Sequence, residues 1–325
     1  MIAVLKPGLL TTVMDLGRPG FQRHGVVVGG ALDRFAARVA NAIVGNEESA
    51  ALLEMAQAGP ELRFEVPALV AWCGGGFEPR IGKEALPRDR AVRIAAGEEV
   101  SFGRAKSGLR AWLAVAGGID VPLVLGSRST YRRGGFGGLQ GRALVAGDRL
   151  PLGALSDVAR ARLAQPQRAT PWSVRPETLG PAAPAGTVRA VPGPEWERFT
   201  PDARRVFFGT TWIATKDGDR MGVRLAGPPL PLDDAREMIS EGVNEGVVQV
   251  PAGGEPIVLL ASRQTVGGYP RIAAVAVVDL GRLAQLAPGR PLRFERIDVA
   301  RAHELLLARE RDFARVRLGL ARLGA

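Results

Sequence analysis

Two eight-residue stretches, AGEEVSFG (96–103) and AGDRLPLG (146–153), are near copies of one another. Each reads as a turn, a carboxylate, a short alternating strand and a closing glycine. APGRPLRFE (287–295) is a looser third echo. A recurring turn-then-strand unit suits barrels built of antiparallel hairpins. The 42 glycines and 24 prolines follow no collagen period, so they supply many turns and hence many strands. Hydrophobic residues make up 46% of the 325, enough for a sizeable core. The expected class is mainly β with a few helices, an α+β chain.

ELRFEV alternates, with Leu62, Phe64 and Val66 on one face, while ALVAWC and RAWLAVAG read as buried strands. A second β-rich block runs from TVRAVPG to LRFERI and includes VVQV, PIVLLA and IAAVAVV. Helical patterns fall near the two ends. Over 33–57, Asp33 caps a helix whose Phe35, Val39 and Ile43 share a face and which Gly45 stops; EESAALLEMA then reads as a second, shorter helix. Residues 298–323 form an amphipathic helix, expected to pack on its own domain. Residues 156–186, rich in Ala, Pro and Arg without a sustained period, read as a linker. The expected organisation is a first domain over 1–155 and a second over 187–325.

Several chemistries are excluded or left without support. The net charge is +10, yet only Lys6, Lys83, Lys106 and Lys216 are lysines, and no dense basic run with interleaved aromatics appears. The arginines are expected as scattered surface, and nucleic acid is not an expected partner. Cys73 is the single cysteine and reads as a buried filler, so neither an intrachain disulfide nor a cysteine zinc site is possible. His24 and His303 are the two histidines, too few for a His-rich metal site, and no metal is predicted. GFEPRIGKEA (76–85) is one residue too long for a phosphate loop and has Glu84 where Ser or Thr is needed. GGFGGLQG has Gln140 where a dinucleotide loop needs its third glycine. No lysine sits in a Met-Lys-Met setting, so this chain is not expected to carry covalently bound biotin. No secretory leader and no apolar window of about 18 residues is present, so the chain is expected to be soluble and cytoplasmic, with no membrane partner.

Three polar clusters remain. Residues 11–34 gather Asp15, Arg18, Gln22, Arg23, His24 and Asp33 around glycine-rich turns. Such a loop can aim Arg and His side chains at a small anion or amide; the alternative is a surface loop with Asp15 paired to Arg18. Residues 116–138 place Ser127, Arg128, Ser129 and Thr130 ahead of RRGGFGG. An arginine fork among hydroxyls suits a carboxylate or phosphate; the alternative is a decorated hairpin loop. The third joins Arg220 and Glu241 to RQTVGGYPRI, where Gly267 and Gly268 are expected to make a tight bend before Pro270. Arg263, Gln264 and Thr265 leave an apolar strand there and can line a pocket at a barrel mouth; otherwise they satisfy their own hairpin.

GLLTTVMDLGRPGFQRHGV, GNEESAALLE, AVAGGIDVPLVLGSRST with GGFGG, DRMG, SEG with QVP, PIVLL and RQTVGGYPRIA occur in this order. Together they resemble the biotin-dependent carboxyltransferase or allophanate hydrolase subunit 2 family, which includes the C component of bacterial 5-oxoprolinase and the antagonist of the Kip kinase inhibitor. The resemblance implies two cyclophilin-like β-barrel domains and a subunit 1-like partner of the Kip inhibitor or 5-oxoprolinase B type. It implies a non-autonomous hydrolase, most simply the C component of an ATP-dependent opening of 5-oxoproline to glutamate, completed by a deacetylase-like A component. ATP enters by this resemblance alone. Two other roles fall within it: carboxyl transfer to urea or another amide from a separate biotin carrier, and regulation by binding a Kip-type inhibitor. Carried onto this chain, the catalytic candidates are Asp15, His24, Arg263 and Gln264. The substrate-binding candidates are Arg18, Arg128, Ser129, Thr130, Arg220, Glu241, Thr265, Gly267, Gly268 and Tyr269. The chain departs from the family at Ser262, where an acidic residue is common, at Val266, where a threonine is usual, and at Met14, where a glutamine is usual. Glu241 is the candidate to replace the missing acid.

Overall fold

The computed structural model describes residues 1–234 and 236–323; residue 235 and the last two residues of the expected second domain lie outside the described residues. The chain divides into two compact units. The first comprises Met1–Arg18, Gly29–Leu179 and Arg311 onward, the second Pro19–Val28 and Gly180–Glu310.

In the first unit the elements run β1 (Ile2–Lys6), β2 (Leu10–Met14), α1 (Arg34–Val44), β3 (Leu52–Ala56), β4 (Glu61–Phe64), β5 (Ala68–Gly74), β6 (Arg80–Ile81), β7 (Glu84–Ala85), β8 (Val92–Ile94), β9 (Glu99–Ser101), β10 (Arg110–Val115), β11 (Arg149–Leu150) and α2 (Asp157–Leu163). Their strands hydrogen-bond as two sheets, ordered β11-β1-β4-β9-β6-β7 and β2-β3-β10-β5-β8. A barrel is the expectation here, but β1 and β2 go to different sheets, so the turn between them joins two layers instead of closing a ring. Inward residues of both sheets, among them Val4, Leu53, Met55, Phe64, Val70 and Leu113, make one buried core. Trp72 and Phe102 meet edge to face at 5.9 Å within it. The two near-copies become β9 and β11, which flank the β1–β4 pair in one sheet, each entered through a left-handed glycine, Gly97 or Gly147.

Helix α1 forms as its sequence dictates. The Asp33 side chain accepts from the Ala36 amide at its start, and Gly45 ends it at φ 80°. The second helix expected from EESAALLEMA is instead strand β3, with all five residues buried. Leu53 and Met55 enter the sandwich core, while Glu54 lies on the opposite face, bonded to the main chain just ahead of α1. A strand covered on both faces shows no two-residue period, and a short apolar run cannot then be told from a helix. Much of the stretch 156–186 is ordered on the first unit. Ser156 caps α2, the Thr170 amide reaches Ala91 O at 3.0 Å, and Arg168 pairs with Glu98 at 2.6 Å.

The second unit runs β12 (Thr187–Pro192), α3 (Pro201–Gly209), β13 (Trp212–Ala214), β14 (Gly222–Ala226), β15 (Glu241–Gly242), β16 (Val247–Gln249), β17 (Ile257–Leu259), β18 (Val266–Gly267), β19 (Arg271–Val275), α4 (Leu280–Ala284), β20 (Pro291–Arg296) and the start of α5 (Val299–Arg322); the terminal helix, expected to belong wholly to the second domain, passes into the first unit at Arg311. Here the sheet closes into a barrel, β12-β19-β16-β17-β14-β13-β20, sealed by the parallel pair β12–β20. Phe207 of α3 stacks on Phe294 of β20 at 4.5 Å. The Arg189 guanidinium and Asp279 carboxylate form a buried two-pronged pair, with bonds of 2.8 and 2.7 Å, and Asp279 also accepts from the Arg189 amide. No helix among the described residues is long and apolar enough to cross a membrane.

Buried charges in each unit make two stability effects measurable. Removing one partner of a buried ion pair strands the other without compensation. Asp279→Ala should therefore destabilise the barrel by about 3 kcal/mol in urea unfolding. In the first unit, Asp89 has a left-handed backbone, φ 59°, and its carboxylate is buried, with Oδ2 held by Arg88 and Oδ1 without a partner among the described residues. Burial raises its pKa although Arg88 pulls the other way. A carboxyl raised in the folded state contributes stability that is full below its unfolded pKa and is lost as pH rises through the folded one. Asp89→Asn, which tolerates the same φ, should gain about 1 kcal/mol at neutral pH and flatten the dependence of the unfolding midpoint on acid pH.

Candidate functional site

The Asp15 carboxylate is the centre of the polar cluster in the first unit. Asp15 follows β2 directly, so the sheet fixes where its side chain begins. Oδ1 accepts from the Gly17 amide at 2.8 Å and from the Ser127 and Ser129 hydroxyls at 2.7 and 2.5 Å. Oδ2 accepts from the Arg128 amide at 2.6 Å. The Asp15 amide returns a bond to Ser129 Oγ at 2.9 Å, and its carbonyl accepts from the Ala31 amide at 2.8 Å. Thr130 completes the join, donating to Val13 O at 2.9 Å through both its amide and its hydroxyl. The first two sequence clusters are thus one object, with Asp15 holding the Ser127–Thr130 loop against the end of β2.

Two arginines in this region do different work. Arg128 gives its amide to Asp15, but its side chain turns to Val121 O and to Asp120, both at 2.8 Å. Its fork is therefore engaged at the rim. Arg18 is buried, with its guanidinium 5.1 Å from the Phe136 ring centre, Nε 3.4 Å from Val124 O and Nη2 bonded to Ser129 O. Burial lowers its pKa, and the nearby Asp15 charge only partly opposes this. The surface-loop alternative, an Asp15–Arg18 pair, does not form as a contact; the carboxylate takes hydroxyls and amides instead.

Sequence reasoning missed Glu54. This carboxylate sits mid-strand in β3, buried, and Oε2 accepts from the Leu32 amide at 2.8 Å and Trp112 Nε1 at 2.9 Å. It thereby fixes residue 32, next to Ala31, whose amide holds Asp15. The available signal was a lone acid inside an apolar run, LLEMA.

The remaining candidates belong to the second unit. Gln22, Arg23 and His24 form one exposed 3-10 turn, in which His24 Nε2 accepts from Arg23 Nε at 3.0 Å. At the barrel, Arg263 is buried with Nε on Val243 O at 3.0 Å, and the Val243 amide donates to Thr265 O at 3.1 Å. Gln264 donates to the buried Gln249 at 3.2 Å, and Gln249 donates onward to Tyr269 O at 3.3 Å. Arg220 Nε reaches the Ser262 hydroxyl at 3.4 Å. Glu241, the candidate replacement acid, is ion-paired with Arg271 at 2.8 Å, and Arg271 is held at its other side by Glu195. The Tyr269 ring is exposed.

Gly267 and Gly268 do not make the expected bend. Val266 and Gly267 form β18, paired with Glu241 and Gly242 of β15, and neither glycine has a positive φ. Gly267 lies close to the Gln249 amide: a Cβ there would stand 2.6 Å from Gln249 Nε2 and would displace that side chain. Gly267 thus records a close approach to the Gln249 amide, while Gly268 faces Ser240 and Met238.

A two-sheet unit followed by a closed barrel is the architecture this chain shares with carboxyltransferase-type proteins. The solved Kluyveromyces lactis urea carboxylase superposes on 95% of this chain with a TM-score of 0.86 at 28% identity, and this chain spans 28% of that one. Residues 24–296 match the family described as carboxyltransferase domain, subdomain A and B, and the chain belongs to that family. Among curated proteins it is 38% identical over 313 residues to the C component of 5-oxoprolinase from Escherichia coli, covering 96% of each chain. It is 34% identical to the Haemophilus influenzae protein of the same name, covering 94% of each. Both relatives are subunits of an enzyme.

Asp15→Asn keeps the side-chain shape but replaces one acceptor oxygen with a donor. With the remaining oxygen kept by Gly17, Ser127 and Ser129, it should cost about 2 kcal/mol and speed hydrogen exchange at the Arg128 amide, which loses its acceptor. The Ala31 amide, bound to the Asp15 main-chain carbonyl, should keep its protection.

Proposed function

We propose that this chain is the C-type component of a cytoplasmic, multi-subunit 5-oxoprolinase, which couples ATP hydrolysis to the opening of 5-oxoproline to glutamate. The observation that carries this is full-length correspondence with 5-oxoprolinase components of that type, 96% of both chains at 38% identity. The urea carboxylase likeness supports the fold equally, but it involves only 28% of a much longer enzyme. The chain acts with a subunit 1-like partner and a deacetylase-like component. ATP is bound by the assembly, and no residue of this chain is assigned to it.

In this reading the Arg263–Gln264–Thr265 segment binds the lactam amide, with Gln264 oriented by Gln249 behind it. Asp15 acts by shaping the Ser127–Thr130 loop, because its carboxylate oxygens already accept four bonds. His24, exposed on its 3-10 turn, is the proton-transfer group. Ser262 puts a hydroxyl on Arg220 where family members commonly carry an acid, so amide orientation there relies on neutral groups.

The test is reconstitution. Co-expression with both partners should give 5-oxoproline-dependent ADP release, and an Arg263→Ala, Gln264→Ala double variant should lower kcat/KM by about 100-fold or more. Wild-type rates in that variant would remove the assignment of the lactam to this segment. Turnover of urea with a biotin carrier, and none of 5-oxoproline, would establish the carboxyl-transfer reading instead. A tight complex with the subunit 1-like partner and no turnover of either would establish a regulatory binding role.

A further inference from the structure

The loop that Asp15 holds begins with an apolar tip. Pro122, Leu123, Leu125 and Gly126 are exposed, Leu123 at 59% and Leu125 at 40%. The tip is a tight turn. The Val124 amide donates to Ser127 O at 2.9 Å, the Ser127 amide returns a bond to Val124 O at 3.2 Å, and Leu125 and Gly126 between them have φ of 53° and 75°. Positive φ at both central residues is the mirror-image hairpin turn, which favours Asn, Asp or Gly. Leucine in that conformation is strained, because its Cβ crowds the neighbouring carbonyl. Glycine or asparagine would serve the turn without that strain and without setting an apolar side chain in water.

The surroundings hold this turn rigidly. Arg128 Nε bonds Val121 O at 2.8 Å on one side, and on the other the Ser127 hydroxyl and the Arg128 amide bond the Asp15 carboxylate at 2.7 and 2.6 Å. Arg18 Nε reaches Val124 O from beneath at 3.4 Å. Strain and exposure that the fold does not need, on a backbone its neighbours overdetermine, are the marks of a binding element. A second tip lies beside the first. Tyr131 and Phe136 exchange main-chain bonds at 2.8 and 3.4 Å and their rings meet edge to face at 5.4 Å, closing a hairpin whose end carries the exposed Arg132 and Arg133. The buried Arg18 joins the two, touching Val124 O of one and lying 5.1 Å from the Phe136 ring centre of the other. An apolar tip beside a basic one is complementary to an apolar recess bordered by carboxylates.

We infer that the Leu123–Leu125 turn is a protein-docking element: the subunit 1-like partner takes the two leucines into an apolar recess and sets carboxylates against Arg132 and Arg133. Naming that partner rests on the functional reading above. A bilayer would accept leucines from any loose loop, since apolar burial has no direction; a strained, fixed turn suits a recess of matching shape, and it enters with little ordering entropy left to lose.

The experiment measures association of the full chain with the purified subunit 1-like protein at low and high salt. Light scattering of the chain alone, and co-sedimentation with vesicles of phosphatidylglycerol and phosphatidylcholine, accompany it. Leu125→Gly should leave the unfolding midpoint of the free chain unchanged or higher, because glycine adopts that φ freely, yet weaken the complex about tenfold or more. Leu123→Ser should weaken it similarly. Arg132→Glu with Arg133→Glu should slow association about tenfold and reduce its salt dependence. A complex that all these variants form with parental affinity and rate overturns the inference and leaves the 5-oxoprolinase reading standing. No complex with the parent chain overturns both. A parent dimer that Leu125→Gly turns into a monomer would assign the turn to a second copy, and vesicle binding that Leu125→Gly abolishes would assign it to a membrane; either overturns the inference. So does a marked loss of stability in free Leu125→Gly. A complex that depends on the leucines but turns over no 5-oxoproline with the third component present supports the docking element and counts against the 5-oxoprolinase reading.

Discussion

The Asp15 carboxylate organises the first unit's polar end. It ends strand β2 and gathers donors from three separate segments: its own turn, the Ser127–Ser129 loop, and, through its carbonyl, the residues before α1. Bonds to an ionised carboxylate are shorter and stronger than neutral ones, and in a buried network they reinforce each other. Glu54 does the same one step further in, tying Leu32 and Trp112. Two acids thus fix the irregular backbone around residues 15–18, 29–33 and 126–130, which the sheets alone would leave undetermined. Arg18 takes its place only because that backbone is fixed: both carbonyls it touches lie in the segment Val124–Ser129.

The second unit solves a similar problem with amides. Its barrel carries the buried Gln249, which bridges Gln264 on one side and Tyr269 O on the other. A buried amide has donors and acceptors that must all be met, so the neighbouring segment must approach closely and in one register. Gly267 permits that approach, and the short β15–β18 pairing sets the register. The ion pairs Arg271–Glu195 and Arg189–Asp279 fasten the strands that flank it, each with two parallel bonds. The RQTVGG segment is therefore rigid at its glycines and polar at its side chains, the reverse of a flexible turn.

The elements that were legible in the sequence are those where one local rule acts alone. Asp33 and Gly45 bound α1 as caps do, the terminal helix observed at Val299–Arg322 follows its apolar stripe, and the near-copies become equivalent strands. The elements that were not legible are those where a distant partner decides. LLEMA is a strand because β2 and β10 pair with it on its two sides. Gly267-Gly268 looks like a bend until β18 is seen to pair with β15 and Gly267 to lie against the Gln249 amide. Arg128 among hydroxyls looks like a ligand-binding fork, and Asp120 claims it. The motif residues were found, but which atom of each faces inward depends on partners that spacing does not encode.

The excess of arginine has a structural meaning that composition alone leaves open. Many of these side chains bond main-chain carbonyls. Arg34 reaches Leu16 O and Gly29 O, Arg282 reaches Ala183 O, Pro184 O and Thr187 O, and Arg162 reaches Ile43 O and Leu320 O. A planar fork can tie two carbonyls where a lysine ammonium acts as a single point charge. Arg162 also has a buried nitrogen, Nε, without a partner among the described residues, so an unmet N–H by itself does not mark a ligand site. The difference lies in the carbonyls. Those of Ile43 and Leu320 belong to the last turns of α1 and α5, where unpaired C=O groups and the helix dipole supply negative charge to the guanidinium. Val124 O and Ser129 O belong to a loop and supply no such field. Arg162 thus sets its charge against two helix ends, while Arg18 lies within the field of the Asp15 carboxylate.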